Sequence, residues 1–320
     1  MSRERATIEA IARLVSVRPG VDVGVGDDAA VLSGPSPLLL AHDMLVEGTH
    51  FTRGTSSAGD LGHRALAVNL SDIAAMGGRP IAAVVGIALP DDVPASDVAA
   101  FYASMESLAA RHGVTVAGGD LTRGPSIVVG VSIIGCMDDG IRPVLRSGAR
   151  PGDLVAVTGA LGAAAAGLAL LGDPRLETST RRDDLLIAQR RPTARVDEGR
   201  RLAAAGVSAM MDVSDGLALD ATRLAEASGV GVTIDLDRVP RAPGVDAVAG
   251  TLGRPADEFA ATGGEDYELL LTAPPDVISR RTAGIGLPVT VIGEVTDGPA
   301  GLRVVRRGQE VVLDRLGWEI

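Results

Sequence analysis

Five times along this chain an apolar run closes on a glycine or another small residue and is followed at once by acids. The five are Val25-Gly26-Asp27-Asp28, Leu40-Ala41-His42-Asp43, Ala117-Gly118-Gly119-Asp120, Met211-Asp212-Val213-Ser214-Asp215 and Thr262-Gly263-Gly264-Glu265-Asp266. Short apolar runs bounded by glycine read as strands, and the ends of strands in α/β sheets are where ligands sit. One such aspartate is ordinarily a turn former or a helix cap. Five of the same form point to a sheet protein whose loops bring acids to one place. Gathered there, carboxylates repel one another by several kcal/mol unless cations lie between them.

Those cations are expected to be hard metal ions. The chain has one cysteine and four histidines, none in a paired spacing, so the ligand set is almost entirely oxygen and selects Mg²⁺ over zinc. No contiguous calcium loop occurs, and carboxylate-bound, water-rich magnesium accompanies phosphates. A net charge of −11 argues against a nucleic-acid backbone as partner, because that affinity comes from basic residues displacing counterions. All thirty basic residues are arginine. Chemistry that needs a lysine, in a Walker phosphate loop, a protein-kinase site or a Schiff base, is therefore excluded. Aromatic residues make up only 2% of the chain, which marks Trp318, Tyr102 and Tyr267 as side chains to watch.

A length of 320 residues suits two domains. The first half alternates apolar runs with helical patterns. Val21–Val25 and Leu38–Ala41 read as strands, and Asp60–Met76 as a helix stopped by Gly77. That helix carries Leu61, Ala65 and Val68, and also Leu66, Leu70 and Ile73, at helical spacing, with Asn69 and Asp72 sharing a face. A second helix starts at Ser96 as cap and ends at Gly113, with Val98, Phe101, Met105 and Leu108 on one stripe. Val114–Ala117 and Ile127–Ile134 are further strands, and Cys136 in the run Ser126–Met137 reads as a small buried hydrophobe.

The polar stretch Asp138–Gly152 is the expected hinge between an N-terminal domain, residues 1–140, and a C-terminal domain, residues 150–320. Beyond it come a strand at Leu154–Thr158, an alanine-rich helix at Ala163–Leu171, a charged surface loop at Asp173–Asp184 and a helix from Pro192 to Ala205. The Gly-Ala-Leu-Gly turn before Ala163 reads as close helix packing rather than a nucleotide fingerprint. Asp212, Ser214 and Asp215 precede a helix that begins at Gly216, where they serve either as caps or beside a phosphate drawn to free N–H groups. No stretch approaches eighteen uncharged apolar residues, so no membrane span is expected and a cytoplasmic protein is.

Seven segments, in order, resemble the thiamine-monophosphate kinase family of the aminoimidazole ribonucleotide synthetase superfamily: Gly24–Ala30, Val46–Phe51, Ala67–Gly77, Gly118–Gly124, Arg146–Asp153, Asp212–Leu217 and Gly263–Leu269. The resemblance implies a mixed α/β (α+β), two-domain aminoimidazole ribonucleotide synthetase-like fold whose N-terminal sheet pairs across a homodimer. It implies transfer of a phosphoryl group from ATP to thiamine monophosphate in the cleft between the domains. Carried over by motif, Asp28, Asp43, Asp72, Asp120, Asp212 and Asp215 would hold magnesium. Tyr102, Gly119, Asp120, Arg146 and Ser214 would touch ATP, while His50, Glu265 and Trp318 would touch the thiamine substrate.

This fits the chemistry of the acids. A phosphate monoester is largely dianionic at neutral pH, so its attacking oxygen needs no general base. Charge neutralisation and positioning remain as the mechanism. Two features separate the chain from its superfamily rivals: aspartate at Asp28 where aminoimidazole ribonucleotide synthetases resemble it but have lysine, and no reactive cysteine near the start as selenophosphate synthetases need. A non-catalytic nucleotide- or metal-binding protein would keep the acids without needing His50 and Trp318. One departure stands out: Ala41 and His42 replace two hydroxyl residues of the family. His42 is then expected either to supply an unusual nitrogen ligand or to leave the place to water.

Overall fold

Alternation along one long strand orients the first half of the molecule. Leu39, Ala41 and Leu45 are buried, while Leu38, Leu40, His42 and Met44 face outward. The computed structural model describes residues 21–23, 27–33, 37–173, 176, 182–282 and 284–319. The first sheet comprises β1 (Val21–Val23), β2 (Ala30–Leu32), β3 (Leu38–Val46), β4 (Arg79–Leu89), β5 (Thr115–Arg123) and β6 (Val128–Cys136), in the order β1-β2-β3-β6-β4-β5. Helices α1 (Ala58–Ala75) and α2 (Ala95–His112) accompany it. The second sheet, in the order β13-β12-β9-β11-β7-β10-β8, uses β7 (Leu154–Thr158), β8 (Ala209–Asp212), β9 (Gly231–Asp235), β10 (Leu269–Ala273), β11 (Val289–Thr296), β12 (Gly301–Arg306) and β13 (Gln309–Val311). Helices α3 (Ala163–Gly172), α4 (Arg182–Arg190), α5 (Val196–Ala205) and α6 (Leu217–Ser228) belong to this half.

Strands β7 and β10 and the edge strand β8 of the second sheet are almost wholly buried and read as largely apolar runs. Successive residues divide between two cores. Ala156, Met210, Leu269, Leu271 and Ala273 join a cluster shared with the first sheet and α1, while Val155, Val157, Met211 and Leu270 pack beneath α3 and α6. Helix α1 therefore lies between two sheets. Fourteen of its eighteen residues are buried, more than the two apolar stripes predict, because the second sheet covers the face that a surface helix would leave wet. Close approach on both flanks depends on glycine. A Cβ at Gly62 would lie 2.0 Å from the Phe101 carbonyl oxygen of α2, and one at Gly199 of α5 would lie 2.1 Å from that of Ala74.

Local differences from the expected elements have physical causes. Strand β3 extends through His42 and Asp43, and β5 through Gly118, Gly119 and Asp120, since pairing with β6 and with β4 continues past the apolar run. Helix α2 starts one residue before Ser96, with Pro94 as its N-cap, and ends at Gly113 in the left-handed conformation at φ 66°. Residues 192–195 are not helical. Pro192 is held by its carbonyl to the His63 ring (3.0 Å) and Arg195 by its guanidinium to Glu268, so tertiary contacts override the pattern until Val196. Of the stretch read as a surface loop, Arg182 onward forms α4, whereas 174–175 and 177–181 lie outside the described residues, as do Gly24, Val25 and Gly26. Cys136 is buried with a free thiol. Among the described residues, no helix is long and apolar enough to cross a membrane.

Candidate active site

Asp28 precedes β2, Asp72 lies on α1 and Asp212 ends β8, yet one carboxylate oxygen of each falls within 4.8 Å of the others. Coulomb repulsion at that spacing is about 3 kcal/mol per pair of charges at an effective dielectric of about 20. Burial first, and then the neighbouring carboxylates, hold Asp72 and Asp212 well above the ordinary range. Asp43 is raised too, by burial and then by Asp215 and Asp28, with His42 opposing. Asp27 is pushed up to about 6 by burial and by Asp28.

Three side chains organise the cluster. Ser71 donates to Asp212 at 2.6 Å. Asn69 accepts the Asp43 N–H at 3.1 Å and donates to the Ala65 carbonyl, tying β3 to α1. Arg146, from the connection between the sheets, gives Nε and Nη2 to the two oxygens of Asp28, each at 2.8 Å, and its backbone N–H to Asp27. Burial works against the Arg146 charge, but Asp28 outweighs it and raises the pKa.

A cleft of about 710 Å³ opens from these acids. Asp43, Asp72, Asp212, Ser214 and Asp215 line one part of it, and His50, Glu265, Tyr267 and Trp318 another. The loop before β10 is strained there: Glu265 (φ 69°) and Tyr267 (φ 51°) are both left-handed without being glycine. Their N–H groups donate to the carbonyls of Ser214 and Val213. Burial and the Arg64 charge push the His50 imidazole down, and its Nδ1 accepts the Val46 N–H at 3.0 Å. Trp318 is 53% exposed; its backbone N–H donates to the Asp215 carbonyl, and the Arg315 guanidinium lies 5.6 Å from the indole ring centroid.

At the helix starts near Gly216 and Gly162 several N–H groups are already taken. The amides of Ser214, Asp215 and Gly216 all donate at 3.1 Å to one oxygen of Asp220, which reaches back from α6. Gly162 and Ala164, at the start of α3, donate to Asp266. Both carboxyls are raised to about 7, chiefly by burial. A buried acid already holds these amides, so a phosphate at the α6 terminus would compete with Asp220 for them.

Asp120, Gly119 and Tyr102 stand apart from the cleft. In the cross-strand row Met44, Gly130, Gly86, Asp120, the aspartate is three strand spacings from β3, or about 14 Å. It shares the outward face of Met44, and it is exposed on the edge strand. Tyr102 packs edge-on against Phe101, with ring centroids 5.2 Å apart. His42 also points outward, its Nδ1 2.8 Å from the Ser132 hydroxyl, on the side of β3 opposite Asp43. Sequence reasoning missed Arg64, Ser71 and Asp220 and noted Asn69 only as sharing a face with Asp72; the available signal was polar residues on helices whose spacing demanded burial.

Comparison with known proteins follows this geometry. Residues 26–137 match the family model of the AIR synthase related protein N-terminal domain, and residues 150–305 that of its C-terminal domain. Thiamine-monophosphate kinase of Salmonella typhimurium is 39% identical, covering 96% of this chain and 94% of its own. That of Bacillus subtilis is 36% identical, covering 93% of each. The solved structure described as AaThiL complexed with AMPPCP and TMP superposes with a TM-score of 0.87 at 33% identity, over 98% of this chain and 96% of that one.

Proposed function

Because the chain belongs to the AIR synthase-related family, and within it to the thiamine-monophosphate kinases, we propose that it passes the γ-phosphoryl group of ATP directly, in line, to thiamine monophosphate, giving thiamine diphosphate and ADP. The observation behind this reading is one cleft that joins a buried acid cluster to His50, Glu265 and Trp318. An all-oxygen donor set with raised pKa values fits hard divalent cations. Asp28, Asp72 and Asp212 would hold Mg²⁺, with Asp43 and Asp215 beside them; Asp120, about 14 Å away within one chain, would reach a metal only from a second copy paired across the first sheet. Magnesium bound there supplies positive charge against the polyphosphate.

The chain's own residues do the rest. Arg146, fixed on Asp28, places a permanent cation where phosphate charge gathers, and with Ser214 it serves ATP, while Gly119, Asp120 and Tyr102, which stand apart within one chain, would do so only from a second copy. His50, Glu265 and Trp318 orient the acceptor, the indole face suiting a cationic heteroaromatic ring. Residues 1–140 form the ATP- and metal-binding domain, 150–320 the second domain and 138–152 the hinge. A homodimer is supported by the apolar outer face of the first sheet, where Leu38, Leu40, Met44, Val84 and Ile134 are exposed together.

The test is ADP release with ATP, magnesium and thiamine monophosphate, with hydroxymethylpyrimidine phosphate as control. Turnover with the thiamine ester and none with the control is expected; no turnover with either ends the proposal.

A further inference from the structure

Helix α1 carries Arg64, Val68 and Asp72 at spacings of four, so all three lie along one face. The eight-residue separation is a rise of about 12 Å. Asp72 belongs to the acid cluster and Val68 lines the cleft between. At the far end the Arg64 guanidinium is 2% exposed, although nothing in the acid cluster requires it there.

Its contacts are specific. Nη2 donates to Oε1 of Glu265, and Nη1 to the carbonyl of His50 at 3.2 Å, while the buried Nε has no hydrogen-bond partner. One side chain of the first half thus joins the His50 loop to the strained Glu265 loop of the second. As a stabilising device this arrangement is poor. A buried guanidinium with an unpartnered N–H and one partly exposed counter-charge costs desolvation that a leucine of similar volume would avoid. Its value lies in geometry. With Oε1 of Glu265 taken by Arg64, Oε2 is the oxygen left for the cleft. With Nδ1 of His50 accepting the Val46 N–H, a neutral ring carries its proton on Nε2. An acceptor at this end meets one carboxylate oxygen and one N–H donor, both aimed through Arg64.

We propose that Arg64 is a positioning residue for the acceptor: by holding Glu265 and the His50 loop at a fixed separation, it sets the affinity for thiamine monophosphate without touching ATP. The inference rests on the kinase reading above.

The experiment compares wild type with Arg64→Leu and Arg64→Lys, measuring kcat and KM for each substrate and thermal stability. Binding of thiamine monophosphate without ATP is followed by fluorescence of Trp318, the single tryptophan of the chain. For Arg64→Leu, KM and Kd for thiamine monophosphate should rise roughly 10- to 100-fold, the scale of lost charge-assisted hydrogen bonds. KM for ATP should stay within about twofold, while the melting temperature should fall because Glu265 is left without its counter-charge. Arg64→Lys, which reaches one partner at a time, should be intermediate. A folded Arg64→Leu enzyme with wild-type affinity for thiamine monophosphate overturns the inference. So does an Arg64→Leu chain that fails to fold while Arg64→Lys keeps wild-type constants, which would make the role structural. A wild-type protein that does not turn over thiamine monophosphate refutes the kinase reading itself, whatever the variants do.

Discussion

Arg146 meets Asp28 through two parallel hydrogen bonds of 2.8 Å, so a cation that cannot be deprotonated sits against the most crowded carboxylates of the protein. The pair has two uses. It offsets repulsion in the metal-free protein, and in the proposed reaction it would leave a guanidinium for the polyphosphate.

Arg146→Gln keeps a hydrogen-bonding side chain but removes the charge. We expect kcat to fall on the order of 10²- to 10³-fold, the usual scale for losing one preorganised charge stabiliser. Steady-state kinetics at saturating magnesium checks this, and a change in KM alone would contradict it.

Asp72→Asn and Asp212→Asn each remove one charge from the cluster. Activity should drop at least ~10³-fold. In the absence of magnesium the melting temperature should hold or rise, because repulsion is relieved. A wild-type rate in either variant would remove that residue from the metal site.

The pH dependence follows from the raised carboxyls. Asp43, Asp72 and Asp212 keep their protons in the folded, metal-free protein at pH values where the unfolded chain has lost them. Folding therefore takes up protons, and stability declines as pH climbs from the ordinary carboxylate range through the raised values. Asp220 and Asp266, at about 7, extend that decline to neutrality. Magnesium needs the ionised forms, so its affinity should rise with pH and its binding should release protons. Calorimetry in two buffers of different ionisation enthalpy measures that release; a heat independent of buffer would refute it.

His42→Thr should leave the magnesium concentration for half-maximal rate within about twofold of wild type, since the imidazole faces Ser132 on the side of β3 away from Asp43. A large increase would make His42 a ligand.

Met44→Asp places a charge in the middle of the exposed apolar face. The proposed dimer should dissociate to monomers, read by light scattering after gel filtration, with the monomer still folded. An unchanged mass would move the interface elsewhere.

Much of this was legible from residue order alone. Apolar runs located β3 and β6 and the glycine at 113 marked a helix end because those signals are local, and the acids at 28, 72 and 212, taken from motif resemblance, do come together. What escaped depended on partners distant in sequence. The outward turn of Asp120 follows from a register across three strands. The cap of α6 comes from Asp220 within the helix rather than from the acids before it. Arg64 looked like an ordinary helical arginine, since nothing nearby in the chain announces that a second sheet will cover it.

Helix α1 is packed by both sheets, and this limits how the cleft can open. Prying the two halves apart like jaws would bare a long run of buried side chains, Arg64 among them. Traffic of nucleotide and product is then easier over the rim, where the tail bearing Trp318 rests on Asp215 and Leu219 by two backbone hydrogen bonds.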